Sequence, residues 1–349
     1  MKTGKVPENV LKRSVLRQMK IERKEVLNGA GIGKDCAIFS FCDANVISCM
    51  QEASVAVKAS AGCRQPGFTV KYTMAQLLQK CANNLAVSGA EPVAAMVTLL
   101  LPETAEESEL KALMAEAVEK CEELSMDIVG GQTRITSDVS SITAVVVGFG
   151  KSPVGNQAMS HMTGIAAPGQ DIVVSKWIGL EGTAFLAERC SEMLRTRYPA
   201  YLVEEAAGFH RYLSILPEAA AAVESGVCAM HDASEGGIFG ALWELAEGAG
   251  VGLNIDLRKL PLRQETVEVC EYCNVTPYQL LSGGCLVMTT EDGPGLVDSL
   301  TARQIPAVLV GKVTDRNDRI LLSGEEIRYM DRPATDEIYR FLSESSIQF

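Results

Sequence analysis

The sequence predicts a two-domain α/β protein whose first half has an α+β texture. Its 349 residues, 47% of them hydrophobic, exceed the usual size of one domain and can bury two substantial cores. Strands and helices alternate along the chain, and glycine, proline and polar residues cluster between Gly148 and Gly169. We therefore expect a first domain at residues 1–155 and a second at residues 165–349.

Four apolar runs in the first half predict strands, at residues 46–50, 93–101, 127–129 and 141–149. Apolar residues at helical spacing from Met74 to Leu85 predict a helix that Gly89 ends. Thr104 and Glu107 form a capping-box pattern ahead of a second helix. The apolar stripe of that helix comprises Leu110, Leu113, Met114, Ala117, Val118, Cys121 and Leu124. Its middle residues are expected to face the core.

In the second half, strands meet helices at glycine turns. Gly179 and Gly182 follow a predicted strand and precede a helix, and Gly236 with Gly237 precede another. A terminal helix is expected from Thr335. The remaining strands are predicted at residues 171–175, 285–290, 307–313 and 319–322.

Composition argues against several classes of partner and location. A net charge of −12 disfavours nucleic acid, which is bound through clustered Lys and Arg. No run approaches the roughly 20 apolar residues of a membrane helix, and no signal-peptide core follows the basic residues at the start. Eleven cysteines, an odd number scattered mostly through apolar runs, indicate a reducing compartment. We therefore expect a cytoplasmic protein that binds neither nucleic acid nor membranes.

Cys270 and Cys273 form a Cys-x-x-Cys pair. A structural zinc ion needs four ligands, and the sequence has no second pair at a suitable spacing. The pair therefore favours helix packing over metal binding.

The first candidate site is a glycine-rich turn at residues 29–35, which contains Gly31, Gly33, Lys34 and Asp35. Because glycine has no Cβ, backbone amides in such a turn can approach an anion such as phosphate closely. Neither the dinucleotide fingerprint nor the P-loop spacing is met, since no Ser or Thr follows Lys34. Taken alone, the segment fits a structural turn equally well.

Two further turns carry polar side chains. Gly130, Gly131 and Gln132 follow a predicted strand and would expose two backbone amides. His231 and Asp232 would place an imidazole and a carboxylate at the entrance of a helix, where general acid–base catalysis is one role. A hydrogen-bonded loop histidine and a helix-capping aspartate are the structural alternatives for these two residues.

Several segments, in this order, resemble the AIR synthase superfamily, which includes HypE, thiamine-monophosphate kinase and selenophosphate synthetase. The similar segments are residues 31–38, residues 83–92, Gly130-Gly131-Gln132-Thr133, Gly169-Gln170-Asp171 and residues 231–237. Residues 281–286 are similar to the corresponding strand of HypE and its relatives, which ranks the HypE-like branch above the kinase branch. The resemblance covers nearly the whole chain.

The resemblance implies a two-domain fold that dimerises through its N-terminal sheets into a barrel and binds ATP between the protomers. It also implies Mg²⁺, because clustered phosphate charge must be neutralised. In this family ATP phosphorylates an amide-like or acid oxygen, and HypE dehydrates a carbamoyl group carried on its own C-terminal cysteine. A homodimer and a protein partner in metalloenzyme maturation are the partners it implies.

Residue by residue, the resemblance assigns ATP binding to Gly31, Gly33, Lys34, Asn84, Gly130, Gly131 and Gln132. It assigns catalysis to Asp35, His231 and Asp232, and metal binding to Asp35 and Glu52.

This chain departs from the family at the metal site. Lys34 replaces one of two paired aspartates, Met50-Gln51 stands at a Thr-Asp strand end, and Asn84 replaces an aspartate. An amide brings no negative charge, so we expect a weakened Mg²⁺ site, with Lys34 supplying part of the missing positive charge. The last residues, 345–349, contain no cysteine.

Two functions follow from these observations. The first is a HypE-like, ATP-dependent activating enzyme that acts on a separate small molecule or protein. The second is a catalytically impaired nucleotide-binding or scaffold protein that kept the fold and the dimer. ATP binding that is unaffected by a chelator, without hydrolysis, would favour the second.

Overall fold

A computed structural model describes residues 8–9, 12, 16, 26–28, 31–32, 36–41, 44–57, 70–153, 166–333 and 335–345. These residues form two compact units. The first unit contains the described residues of 26–28 and 36–153. The second contains those of 166–345 together with residues 8–9, 12, 16 and 31–32. The mixed α/β fold is confirmed, whereas the domain limits at 155 and 165 stay a prediction.

The first unit is built on one mixed sheet. Its strands run in the order β1-β2-β3-β7-β5-β6, and β4 pairs with the end of β3. Strand β7 is antiparallel to both β3 and β5, and β6 is parallel to β5. The strands are β1 (Val26–Asn28), β2 (Ala37–Phe41), β3 (Ala44–Val55), β4 (Lys71–Tyr72), β5 (Glu91–Leu101), β6 (Asp127–Ile135) and β7 (Thr143–Pro153).

Helix α1 (Met74–Val87) lies against one face of this sheet. It begins at a capping box in which Gln76 N–H donates to Thr73 Oγ1 at 3.2 Å and Thr73 N–H donates to Gln76 Oε1 at 2.9 Å. A Cβ atom on Gly148 would collide with the Cys81 side chain of α1. The absent side chain therefore lets the helix approach the centre of the sheet closely.

The predicted start of the second helix, at Thr104 and Glu107, is wrong. Helix α2 spans Glu107–Glu123, and its N-cap is Glu106, whose N–H donates to Glu109 Oε2 at 2.9 Å. Thr104 lies in a preceding turn that Ala105 N–H closes on Pro102 O at 3.0 Å. Because of this turn, the N-cap lies two residues later than predicted, and Glu106 and Glu109 take the capping positions.

The predicted apolar face of α2 is confirmed at its centre. Leu113, Ala117 and Cys121 are buried, whereas Val118, assigned to the same stripe, is 46% exposed. Positions 113, 117 and 121 are four residues apart and therefore share one side of the helix, and Val118 is rotated away from them.

The second unit has a sheet with the strand order β14-β13-β10-β12-β8-β11-β9. Strand β8, between β12 and β11, is buried along its whole length. The strands are β8 (Asp171–Ser175), β9 (Ala229–Ala233), β10 (Gly252–Asp256), β11 (Cys285–Thr290), β12 (Ala307–Thr314), β13 (Arg319–Ser323) and β14 (Glu326–Tyr329).

Helices of the second unit pack against this sheet and against one another. One buried core joins Ile172 and Val174 of β8 with Ile238 and Leu242 of α7 and with Val287 of β11. The helices are α3 (Leu180–Arg189), α4 (Ser191–Arg197), α5 (Ala200–Ala207), α6 (Leu216–Glu224), α7 (Gly237–Ala249), α8 (Gln264–Cys273), α9 (Gly293–Ala302) and α10 (Glu337–Ser345). The described part of the chain contains no helix long and apolar enough to span a membrane.

Candidate functional site

The predicted glycine loop lies largely outside the described residues. Gly33, Lys34 and Asp35 are among the residues that the structure does not describe, and Gly31 belongs to the second unit. Asn84, Glu52 and Gly130 belong to the first unit. The predicted convergence of Gly31 with Gly130 on one phosphate group therefore stays a prediction.

Asn84 lies in a polar seam on helix α1. Gln79 Nε2 donates to Asn83 Oδ1 at 2.9 Å, and both side chains are buried. The backbone carbonyl oxygen of Asn84 accepts hydrogen bonds from Cys36 Sγ at 3.0 Å and from Ser88 Oγ at 3.3 Å. Cys36, the residue that directly follows the predicted glycine loop, therefore contacts the backbone of Asn84.

Strand alternation separates Glu52 from Asn84. Cys49 of β3 lies on the face that α1 covers, where its Sγ is 3.5 Å from Cys81 Sγ. Successive strand residues point to opposite faces, so Gln51 points toward the α1 side and Glu52 toward the open side. The exposure of Glu52 and of Met50 agrees with this assignment. Within one chain, Glu52 and Asn84 therefore cannot bind the same metal ion.

Glu52 and Gln132 do share the open face of the first sheet. Glu52 pairs with Val145, Val145 with Thr98, and Thr98 with Gln132. Three strand spacings put the Glu52 and Gln132 backbones about 14 Å apart. The two side chains lie in one row across the sheet but are too distant to hold a common ion.

Gly130 and Gly131 were expected to form a turn, and this expectation is wrong. Both residues lie inside β6, which continues to Ile135, and the register of β5 with β6 shifts between Ala95 and Met96. Gly131 has φ +141°, and a Cβ atom there would collide with the carbonyl oxygen of Val97. Glycine at 131 therefore permits close strand pairing. Strand β6 pairs only with β5, at an exposed edge of the described sheet.

His231 and Asp232 lie in strand β9 and not in the turn before helix α7. As neighbours in a strand they point to opposite faces of the sheet. His231 Nε2 is 3.3 Å from Glu244 Oε2 of α7, and its Nδ1 is 2.9 Å from the Asp232 carbonyl oxygen. Within one chain, the imidazole and the Asp232 carboxylate therefore do not act on one group together.

Three glycine turns of the second unit meet around the start of α7. Gly182 N–H donates to Leu281 O at 2.9 Å, and Gly179 N–H donates to Ser282 Oγ at 2.8 Å. Ser282 N–H in turn donates to Ser234 O at 3.2 Å. The sequence showed these turns separately, and tertiary contacts bring them together.

Asp336 is a buried residue at this junction that the sequence did not single out. Its carboxylate accepts three backbone hydrogen bonds, from Gly236 N at 2.7 Å, Ile338 N at 2.9 Å and Leu281 N at 3.3 Å. Burial raises the pKa of Asp336 to about 7, and Glu235 adds to the rise, while the three N–H groups oppose it. The only sequence signal for this residue is an acidic side chain ahead of a helix.

The described residues do not supply the ligands that Mg²⁺ prefers. They contain no group of three His, Cys, Asp or Glu side chains placed to hold a metal ion. On the α1 side of the sheet, Gln51 and Asn84 offer neutral amides, whereas Mg²⁺ is bound through carboxylates and phosphate oxygens. The described donor set therefore does not fit a tightly held magnesium ion, and the predicted ligand Asp35 lies outside the described residues.

Two sequence profiles of one family match the chain. The profile described as AIR synthase related protein, N-terminal domain, matches residues 33–151. The profile of the AIR synthase related protein, C-terminal domain, matches residues 167–322. With the two-sheet fold described above, these matches show that the chain belongs to the AIR synthase superfamily, which confirms the predicted resemblance.

Within that superfamily, the relatives of this chain include HypE-like proteins. A hydrogenase expression/formation protein of Methanocaldococcus jannaschii is 24% identical over 347 residues, 97% of this chain and 96% of that protein. The carbamoyl dehydratase HypE of Rhodobacter capsulatus is 30% identical over 208 residues. That second match spans 59% of this chain and 58% of the relative.

Solved structures of HypE share the fold. E. coli HypE superposes with a TM-score of 0.66 at 20% identity, covering 85% of this chain and 88% of that one. HypE in complex with ATP gives a TM-score of 0.63 at 15% identity, with coverages of 95% and 96%. A chain of the HypE–HypF complex gives 0.64 at 20% identity, with coverages of 86% and 94%.

Proposed function

We propose that this protein is a HypE-like, ATP-dependent activating enzyme that phosphorylates an amide- or acid-type oxygen and so makes it a leaving group. The family membership and the HypE relatives support the reaction class. The observation that carries the assignment to this chain is the contact between Cys36 and Asn84. It places Cys36, the residue that follows the predicted phosphate-binding loop, against the helix backbone of a second family motif.

In this proposal, Gly31, Gly33 and Lys34 bind the phosphates through backbone amides and an ammonium group. The Asn84 side chain, on the buried α1 seam, orients the nucleotide by hydrogen bonding. Gln132 lies on the same sheet face as Glu52, so Gly130, Gly131 and Gln132 would contribute from a second copy of the chain. Asp35, His231 and Asp232 stay predicted catalytic residues, and Glu52 is left out of the α1-side site.

The charge of the triphosphate must still be balanced. Relatives in this superfamily are expected to use Mg²⁺, and the described residues on the α1 side are neutral amides. The Lys34 ammonium would supply part of the positive charge that a metal ion otherwise supplies. Phosphate oxygens can accept hydrogen bonds from an ammonium group instead of coordinating a metal cation. ATP binding is therefore expected to depend less on Mg²⁺ than in relatives that keep both aspartates.

ATP titration with and without Mg²⁺ tests this function. Calorimetry on the full chain should show ATP binding whose affinity changes little when EDTA replaces Mg²⁺. In Asn84→Asp, the added carboxylate should make Mg²⁺ strengthen ATP binding about tenfold more than it does in the parent. The reason is that a charged ligand binds a hard cation more tightly than a neutral amide does. Asn317→Asp, which adds the same charge to the second unit, should behave like the parent.

The activity itself needs a separate assay. Phosphate release measured over a panel of amide and carboxylate acceptors should identify a stimulating substrate class. A chain that neither binds ATP nor releases phosphate with any acceptor contradicts the enzyme proposal. Tight, chelator-insensitive ATP binding without release would instead support the scaffold function, which the neutral amides at Gln51 and Asn84 favour.

We also propose that the first unit forms a homodimer through the open face of its sheet. Met50, Val147 and Met96 lie side by side across β3, β7 and β5 on that face. Met50 is 61% exposed and Met96 is 42% exposed, and Val145 and Phe149 continue the apolar surface. A second copy of the same face would cover this surface and the exposed edge of β6.

Replacing Met50 with aspartate should convert the dimer to a monomer. The buried charge would have no partner at the interface, so association should weaken by several kcal/mol. Sedimentation equilibrium should show a fall from twice the chain mass to 37.4 kDa. Val118→Asp, on an exposed position of α2 in the same unit, is the matched control and should remain dimeric. A monomeric parent protein would contradict the dimer.

A protein partner in metalloenzyme maturation is the last part of the proposal. A chain of the HypE–HypF complex has this fold, and E. coli HypE is described as a hydrogenase maturation protein, which supports such a partner. Co-purification from cells that express a hydrogenase maturation system would test whether this chain does the same.

A further inference from the structure

A cavity of about 240 Å³ lies in the first unit, where β3 and β5 end and β7 begins. Its apolar wall includes Val55, Pro102 and Ile142. Val55 N–H donates to Ile142 O at 2.9 Å, and Ala56 N–H donates to Tyr72 O at 3.0 Å. These bonds hold the wall in place before any ligand binds, which lowers the entropic cost of binding. Pockets for drug-sized ligands measure about 300 to 1,000 Å³, so this cavity suits a smaller metabolite.

Two side chains of opposite charge line the cavity. Lys71 of β4 brings an ammonium group, and Glu109, in the first turn of α2, brings a carboxylate. Glu106 N–H donates to Glu109 Oε2 at 2.9 Å, and this bond orients the carboxylate. A ligand with one charge would be attracted by one of the two groups and repelled by the other. A zwitterion would be attracted by both, so the charge pattern of the cavity selects a ligand that carries an ammonium and an anionic group.

Three hydroxyl side chains also line the cavity, those of Thr104, Ser140 and Ser141. Ser141 Oγ lies 3.3 Å from Ser54 Oγ, a hydrogen bond that orients the Ser141 hydroxyl. A hydroxyl both donates and accepts hydrogen bonds, so these groups can bind a carboxylate as well as an ammonium group. The polar part of the wall therefore fits both ends of a small zwitterion.

The cavity lies away from the Asn84 seam of the first unit. Lys71 lies just before helix α1, which begins at Met74, whereas Asn84 follows ten residues further along the same helix. At a rise of 1.5 Å per residue, the two ends of this stretch are about 15 Å apart. A ligand in the cavity would therefore not contact a phosphate group bound beside Asn84.

We infer that this cavity is a binding site for a free amino acid or a similarly small zwitterion. The ammonium group of the ligand pairs with Glu109, its carboxylate pairs with Lys71, and its side chain packs against Val55 and Ile142. The inference goes beyond the proposed function, because no step of ATP use requires this ligand.

Calorimetry on the full chain, without ATP, tests the site with each of the standard amino acids as a probe. At least one of them should bind with a Kd at or below about 1 mM. Acetate and ethylamine, which each carry only one of the two charges, should not bind at the same concentrations. In Lys71→Met and in Glu109→Gln, loss of one charged hydrogen-bonding partner should weaken binding of that amino acid by about tenfold or more. Glutamine at 109 keeps an oxygen for the Glu106 N–H group, so the start of α2 is retained.

Lys111→Met and Glu107→Gln are the matched controls. They make the same changes of charge on an exposed ion pair of α2, whose side chains are 75% and 78% exposed, and they should bind the amino acid like the parent. Thermal melts show which of the two cavity variants remain folded, and either one alone decides the result.

Three outcomes would overturn the inference. A parent chain that binds none of the amino acids has no such site. Acetate or ethylamine that binds as tightly as the amino acid would mean that a single charge is recognised. Amino-acid binding that persists in both cavity variants would lie elsewhere on the chain. ATP affinity, measured in parallel, should be unchanged in Lys71→Met, so failure of ATP binding and failure of amino-acid binding are distinguishable.

Discussion

Replacing Lys176 with methionine is expected to lower the free energy of unfolding by about 3 to 5 kcal/mol. The Lys176 ammonium lies 2.6 Å from Glu218 Oε1 and donates to Tyr212 O at 2.9 Å and Ser214 O at 2.5 Å. Glu218 is buried, and its Oε2 has no hydrogen-bond partner among the residues that the structure describes. Without the ammonium, a buried carboxylate would be left uncompensated, while methionine keeps most of the side-chain volume. Denaturant unfolding measures the loss.

Lys312→Met is the matched control. Lys312 also lies 2.6 Å from a carboxylate, that of Asp171, but its side chain is 62% exposed. Solvent screens exposed pairs, so this variant should lose no more than about 1 kcal/mol. Equal losses in the two variants would show that burial does not govern the Lys176 pair.

Truncating Leu113 to alanine is expected to cost about 2 to 5 kcal/mol, because the cavity left in a packed core cannot fully collapse. Leu113 is fully buried on α2, on the side that also carries Ala117 and Cys121. Val118→Ala on the same helix is the control, since Val118 is 46% exposed and its truncation should change stability by less than about 1 kcal/mol. Thermal melts of both variants, at matched pH and salt, measure the difference. An unchanged midpoint for Leu113→Ala would contradict the buried face.

Local patterns predicted most of the elements. The strands at residues 46–50, 93–101 and 171–175 and the helices containing Leu77 and Leu242 lie where their apolar spacing placed them. The start of α2 was misplaced because two capping-box patterns overlap, and a turn at Pro102 decides between them. The Gly130-Gly131 pair was taken for a turn because glycine is common in both turns and irregular strands.

The candidate site was less predictable than the fold. Asn84 and Cys36 are 48 residues apart, and no local pattern placed them in contact. Glu52 was grouped with Asn84, although strand alternation makes Gln51 the residue on that side. Asp336 was missed because its partners Gly236 and Leu281 are 100 and 55 residues away, beyond any local pattern.

The sequence by itself determined the types and order of the elements and the family, because periodicity of 2 or 3.6 residues and glycine turns follow from backbone geometry and burial. Only the tertiary structure decided which polar groups share a face. It set Glu52 apart from Asn84 and His231 apart from Asp232, and it placed Asp336 on the amides of a distant turn. Such pairings depend on how helices and strands pack across the chain, and no short segment of sequence encodes that packing.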